Sequence, residues 1–163
     1  MATIERSRPI DAPADVVWDV ITDPTVYQEV APNLAAVEVL DGRGEGMVRR
    51  CVDTSGNAWV ERCAYWTPGR EFGVAVDVAG SDFHRRLFSR FEGHWELSER
   101  ADDVLVTIRF DFETRYGPLG WPISAYLARA APSILDGIFD GWEAEVERRL
   151  EREGRGSRAL EGV

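Results

Sequence analysis

Between residues 34 and 115 the chain is a succession of short apolar runs, each closed by a turn signal before a helix could form. The runs are 34–41, 46–53, 58–66, 71–78, 87–98 and 104–115, with breaks at Asp41-Gly42, Ser55-Gly56, Pro68-Gly69, Gly80-Ser81 and Ala101-Asp102. Connections this short join only antiparallel neighbours, because a parallel pair needs a crossover of a dozen residues or more. Strand side chains alternate between two faces. Val104, Val106, Ile108, Phe110 and Phe112 therefore share one face, and Leu87, Ser89, Phe91, Gly93, Trp95 and Leu97 are expected to share another.

A first strand precedes this block at 2–10, "ATIERSRPI". Two short helices follow it. "DAPADVVWDVIT" places Val16, Val17, Val20 and Ile21 on one side, with Asp11 as a candidate cap and Pro13 suited to a first turn. "DPTVYQEV" is stopped by Pro32. After the sheet the period becomes helical from 121 to 153, where Ile134, Ile138, Trp142, Val146 and Leu150 form a stripe at spacings of four. Pro132 is expected to kink or restart this helix. Gly137 and Gly141 share a helix face, and the expectation is close packing of helix on sheet. Residues 154–163 have little to bury and are expected to form a mobile tail.

The order implies an α+β fold, with a seven-stranded curved antiparallel sheet wrapped around one long C-terminal helix and two short helices after the first strand. Residues 1–153 are expected to form a single domain, a ligand-binding one if the resemblance given below holds. One helix covers the apolar face of so wide a sheet only partly. The space left over is a natural pocket for a small apolar molecule.

The hairpin "MVRRCVDTSGNAWVER", residues 47–62, adds charge to that interior. One face holds Met47, Arg49, Cys51, Trp59, Glu61 and Cys63; the other holds Val48, Arg50, Val52, Val60 and Arg62. The second face would bury two like charges with no acid between them. The first brings one Arg opposite one Glu if the turn has three residues including Gly56. A paired charge is far easier to enclose than two repelling ones, so Arg49 and Glu61 are expected inside and Arg50 and Arg62 in solvent. Arg49 is then a candidate to hold a carbonyl or enolate oxygen through its planar donor fork. Glu61 would orient Arg49 or accept a proton. The alternative is a structural ion pair that sets strand register.

Other residues have two readings each. Tyr27, on the second short helix, sits at the cavity end, as a hydrogen-bond donor or as packing. Phe91, Trp95 and Phe110 point inward and fill core or line the pocket. Tyr116 and Trp121 flank "YGPLGWP", a turn at the mouth or an ordinary packed loop. His94 falls on the polar side of its strand and is expected in solvent; His84 lies in the loop "GSDFHRR". Cys63 reads as a small apolar filler rather than a nucleophile.

Several function classes are excluded by composition. Net charge is −10, which argues against nucleic acid and anionic membrane as partners. All 19 cationic side chains are Arg, so lysine Schiff-base chemistry is absent. Two Cys and two His show no metal-ligand spacing, and no metal is expected. "GRGEG" at 42–46 leads into a strand and is a hairpin turn, not a phosphate cradle. No apolar run approaches the ~18 residues of a membrane span, and the N-terminus lacks a signal peptide's pattern. The expectation is a cytoplasmic protein. A homodimer is compatible with the sequence.

Three stretches carry a resemblance. "IDAPADVVWDVITDPTVYQEV", "GEGMVRRCVDTSGNAWVER" with Gly44, Gly46, Arg49 and Glu61, and the long C-terminal helix resemble the START-related helix-grip superfamily, and within it the polyketide cyclase/dehydrase (SRPBCC) proteins. The resemblance covers residues 3–150. It implies a cavity for a hydrophobic polyketide or aromatic ligand, no cofactor, and either aldol cyclisation with dehydration or carriage of a lipid, quinone or similar molecule without turnover. In aromatase/cyclases of this kind a cavity Arg and hydroxyl groups are thought to polarise carbonyls. Here the corresponding strand reads "WVERCAY", with Glu61 and Cys63 in place of Ser and Arg, and Arg49 one strand earlier as the substitute. The ligand-lining candidates are Tyr27, Met47, Trp59, Cys63, Phe91, Trp95, Phe110, Tyr116 and Trp142.

Overall fold

A computed structural model describes residues 1–162. The chain order is β1 (Ala2–Ile10), α1 (Ala14–Ile21), α2 (Pro24–Val30), β2 (Leu34–Asp41), β3 (Val48–Asp53), β4 (Ala58–Thr67), β5 (Glu71–Val76), α3 (His84–Leu87), β6 (Phe88–Glu99), β7 (Val104–Thr114), a 3-10 turn (Gly117–Gly120) and α4 (Trp121–Glu161). The seven strands form one antiparallel sheet in the order β1-β7-β6-β5-β4-β3-β2. β2 to β7 pair in succession, through short turns except between β5 and β6, where residues 77–87 include α3. β1 lies at the opposite edge from β2, so α1 and α2 cross one end of the sheet to join them. This is the helix-grip arrangement, and the sequence expectation of fold holds.

α1 begins at Ala14 with Pro13 as its N-cap and no side-chain cap, so Asp11 does not serve that role. α2 starts with Asp23, whose carboxylate accepts from Thr25 N–H, and ends at Val30 because Pro32 forces Ala31 out of helical geometry. The inner face of β7 is as expected: Val104, Val106, Ile108 and Phe112 are buried and Phe110 is half-buried. β6 differs. A bulge between Phe88 and Arg90 inserts an extra residue, so Phe88 and Phe91 turn inward together and the expected Leu87/Ser89 alternation is lost.

α4 is one continuous helix through Pro132. Its buried stripe is Leu135, Ile138, Phe139, Trp142 and Val146, with Ile134 and Leu150 only half-buried. The expected spacing of four drifts off a 3.6-residue turn, and Leu135 and Phe139 take up the difference. Arg6 and Arg8 of β1 clamp the helix through Asp136 and Asp140, and Arg8 also stacks over Phe139. Arg149 ties it to Asp23. Gly137 and Gly141 do mark close approach, but to the end of α2 rather than to the sheet: a Cβ at Gly141 would lie 2.5 Å from Val30 Cβ, and one at Gly137 3.3 Å from Pro32 Cγ.

The segment expected to leave the domain after Glu153 instead continues α4 to Glu161, with every side chain from Glu151 to Glu161 exposed. The i→i−4 backbone ladder needs no packed face to propagate once the helix is nucleated. Val163, the last residue of that expected tail, lies outside the described residues.

Candidate functional site

The turn between β3 and β4 sets the site. Asp53 pairs with Asn57 through a backbone hydrogen bond of 2.9 Å, leaving Thr54, Ser55 and Gly56 as a three-residue turn. Gly56 holds φ at +88°, which a side chain would resist. The Asp53 carboxylate accepts from Ser55 N–H, Asn57 N–H and the Asn57 amide, which locks the turn. From there the register brings Arg49 directly opposite Glu61. Met47, Arg49, Cys51, Glu61 and Cys63 are buried on the inner face, while Arg50 and Arg62 are exposed.

Arg49 and Glu61 are 5% and 6% exposed, and they form an ion pair in which Arg49 Nε donates to Glu61 Oε1. The other carboxylate oxygen accepts from Trp59 Nε1–H at 3.2 Å, and the Cys51 thiol donates to Oε1 at 3.7 Å. The Tyr27 ring covers the guanidinium, 5.1 Å from Cζ to its centroid. The Nη1 and Nη2 donors make no hydrogen bond among the described residues. Burial alone would lower the Arg49 pKa, but the adjacent Glu61 carboxylate outweighs it and the net shift is upward, so the guanidinium stays charged. Burial pushes the Cys51 thiol up, and Glu61 adds to the effect. The Tyr27 phenol is also pushed up by burial and remains a neutral hydroxyl.

These side chains belong to a closed circuit on the concave face. Tyr27 meets Trp95 edge-on at 6.2 Å, and Trp95 meets Phe110 at 5.9 Å. Phe110 meets Phe91 at 5.9 Å, and Phe91 meets His84 at 5.5 Å. His84 meets Trp59 at 5.2 Å, and Trp59 returns to Glu61. Inside this ring the floor is β5 and the adjoining part of β6, where Val74 lies opposite Gly93. Gly93 carries no side chain because the Trp95 ring packs over it: a Cβ there would sit 2.8 Å from that ring and 3.1 Å from Phe110. Tyr27, Trp59, Phe91 and Phe110 are each half-buried.

Of the ligand-lining candidates, Tyr27, Trp59, Phe91, Trp95 and Phe110 are brought together in this ring. Met47 and Cys63 are buried beside it on the hairpin, bonded backbone to backbone at 2.8 Å. Tyr116 is not part of it: its ring is exposed and its hydroxyl donates to the Arg86 carbonyl at 2.8 Å. Trp142 is fully buried on α4 beside Phe139, and its indole N–H has no partner among the described residues. Trp121 is exposed at the start of α4. Two surface clefts of about 390 and about 300 Å³ lie elsewhere, one between Asp11–Ala14 and Glu99–Val104, the other between β7 and the start of α4; neither includes Arg49 or Glu61.

Both histidines depart from expectation. His94 is half-buried on the outer face rather than solvated, with Nδ1 2.8 Å from the Tyr65 hydroxyl and Nε2 3.2 Å from Asp111. Tyr65 can lie over it because Gly73 leaves the neighbouring strand bare; a Cβ there would be 2.3 Å from the Tyr65 ring. His84 is 5% exposed and its ring is part of the inner circuit. The signal in the sequence was Ser81, three residues before it: Ser81 Oγ accepts from the His84 backbone N–H and lies 2.9 Å from Nδ1, turning the loop inward. Burial lowers the His84 pKa to about 4, so the ring is uncharged at neutral pH.

The pattern of a known family fits this chain from residue 1 to 147, the family described as "Polyketide cyclase / dehydrase and lipid transport". The chain belongs to that family. Solved structures with the same fold include the ZhuI aromatase/cyclase from Streptomyces sp. R1128, at TM-score 0.73 and 22% identity, covering 91% of this chain and 95% of that one. Norcoclaurine synthase from Thalictrum flavum is similar at TM-score 0.71 and 15% identity, covering 91% and 95%. A START superfamily protein from Mycobacterium smegmatis is similar at TM-score 0.67 and 15% identity, covering 90% and 97%. Among curated protein sequences none matches. At these identities the likeness shows the fold and leaves the chemistry to the side chains of this chain. No helix among the described residues is long and apolar enough to cross a membrane.

Proposed function

We propose that this protein binds a hydrophobic small molecule bearing a ketone or enol oxygen, held in the aromatic ring on the concave face with the oxygen on Arg49. The observation that supports this reading is the enclosed Arg49–Glu61 pair, whose guanidinium spends only Nε on its partner. Two Nη groups with no protein acceptor, set in an apolar enclosure, form a donor fork for one carbonyl oxygen. The surrounding aromatics supply the apolar contact, and family membership agrees with a ligand of this class.

A second reading adds turnover. An oxygen polarised by Arg49 acidifies the carbon beside its carbonyl, and the Glu61 carboxylate next to it is a proton acceptor. In an aldol cyclisation Glu61 takes that proton, the carbanion attacks a second carbonyl of the same chain and closes the ring through a new C–C bond, the alkoxide regains the proton, and loss of a further α-proton with the hydroxyl as water leaves a C=C bond. Beyond that C–C bond only protons and water are exchanged, so neither step needs an oxidant or a reductant. Glu61 is held on three sides by Arg49, Trp59 and Cys51, which favours binding over turnover as the primary reading.

The test is native mass spectrometry of freshly purified protein, followed by the same measurement on Arg49→Met. A co-purified apolar molecule with a ketone or enol, lost in the variant while the circular dichroism spectrum is kept, supports the reading. A ligand retained in full by Arg49→Met refutes the role of Arg49.

A further inference from the structure

The ring has a second polar member, His84, on the side bordered by Phe91 and Trp59. Ser81 is fully buried and its hydroxyl oxygen already accepts from the His84 backbone N–H. The hydroxyl hydrogen therefore needs an acceptor. His84 Nδ1, at 2.9 Å, is the one in reach among the described residues. If Nδ1 accepts, the ring proton of the neutral imidazole resides on Nε2. Ser81 thus fixes the tautomer in which the free nitrogen of His84 is a donor.

That donor sits in an aromatic enclosure. Trp59 and Phe83 each stand 5.2 Å from the imidazole, Phe91 5.5 Å and Phe88 6.0 Å. None of these rings offers a hydrogen-bond acceptor in its plane, and the Trp59 N–H is already committed to Glu61. Among the described residues Nε2 makes no hydrogen bond to the protein and is not one of the fully buried unpaired atoms, so it is an accessible donor that a guest can use. A flat π-face is what the surrounding edges and faces best accommodate.

We infer that His84 is a second anchor of the ligand site, its Nε2–H donating to an oxygen substituent of a planar aromatic guest. This rests on the reading of the concave ring as a ligand site, and it narrows the ligand class to aromatic molecules with at least two oxygen substituents, one for Arg49 and one for His84. The imidazole acts as a neutral donor and makes no covalent bond. Ser81 is a positioning residue.

The experiment compares 2,6-diacetylnaphthalene with 2-acetylnaphthalene by quenching of tryptophan fluorescence. One added neutral hydrogen bond corresponds to a tighter binding of the diketone by about three- to tenfold. In His84→Phe that ratio falls to about one, whatever the change in the monoketone's own affinity. In His84→Gln, whose amide keeps a donor, part of the preference returns. Ser81→Ala lowers the ratio, because the imidazole is then free to take the other tautomer. A measurement on the unaltered protein needs no variant: the long-range ¹H–¹⁵N spectrum of the imidazoles should show His84 protonated at Nε2, and the diketone should shift that resonance more than the monoketone does. A preference that survives in His84→Phe, a ratio of one in the parent, or a proton on Nδ1 overturns the inference. If neither ketone binds the parent protein, the ligand-site reading itself fails, and this inference with it.

Discussion

The buried ion pair gives the sharpest stability prediction. Arg49→Met keeps most of the side-chain volume but leaves the Glu61 carboxylate facing a hydrophobic strand surface. The side chains of the pair are 6% and 8% exposed, so solvent screening offers little relief. Breaking one partner of such a pair costs about 3–5 kcal/mol, because the remaining charge is stranded. For a domain of this length each kcal/mol corresponds to about 2–4 °C in Tm, so the variant should melt about 6–20 °C lower. Arg49→Met with Glu61→Leu removes both charges. Replacing a buried pair by apolar side chains is neutral to stabilising by about 1–4 kcal/mol. Against that, Trp59 N–H loses its acceptor, at about 1–3 kcal/mol. The double variant should therefore lie close to the parent, and its loss should fall well short of the sum of the two single-variant losses. The assay is urea unfolding followed by tryptophan fluorescence, at low and high salt. A single variant that loses less than about 1 kcal/mol, or a loss that shrinks with salt, would show that water reaches the pair and would refute the enclosed-charge argument.

Two further outcomes follow from the geometry. His84 has a folded pKa of about 4 against an ordinary value near 6.5, so between those values the unfolded chain binds the proton and the folded one does not. Its stabilisation is complete above the unfolded pKa and is lost as pH falls towards 4, by up to about 3 kcal/mol at 1.36 kcal/mol per pKa unit; the difference in unfolding free energy between parent and His84→Gln should vary over that window and be flat above pH 7, and a flat difference throughout would show that His84 is solvated. Gly141→Ala gains about 1 kcal/mol of helix propensity but drives a methyl into Val30, 2.5 Å away, at about 1–3 kcal/mol. It should lower Tm, whereas Gly154→Ala, with nothing within 4 Å, should not; equal effects at the two positions would mean that α2 does not press on α4 there.

Much of this was legible in the sequence because it depends on local rules. Short turns oblige neighbouring strands to be antiparallel, and a 3.6-residue period marks the closing helix. The placement of Arg49 and Glu61 followed from the high cost of burying Arg50 and Arg62 unpaired and from the condition of a three-residue turn containing Gly56, which the structure sets at Thr54–Gly56. His84 was not legible in the same way. Its inward turn depends on a hydrogen bond to Ser81 and on aromatic partners from β4 and β6 that are distant along the chain. His94 read as a solvated outer residue because alternation says which face a side chain is on, not what lies over it; Tyr65 covers it across the bare Gly73. Gly137 and Gly141 signalled close approach, and only the packing of α2 named the neighbour.

The amino-acid order alone thus determined the strand succession, the closing helix and the pairing of one Arg with one Glu, since each rests on contacts between residues close in sequence or on a single turn. Tertiary structure decided that Tyr27, Trp95, Phe110, Phe91, His84 and Trp59 join that pair in one ring. Those six come from α2, α3 and three strands, and curvature of the sheet, which no local pattern encodes, is what turns their side chains towards a common centre.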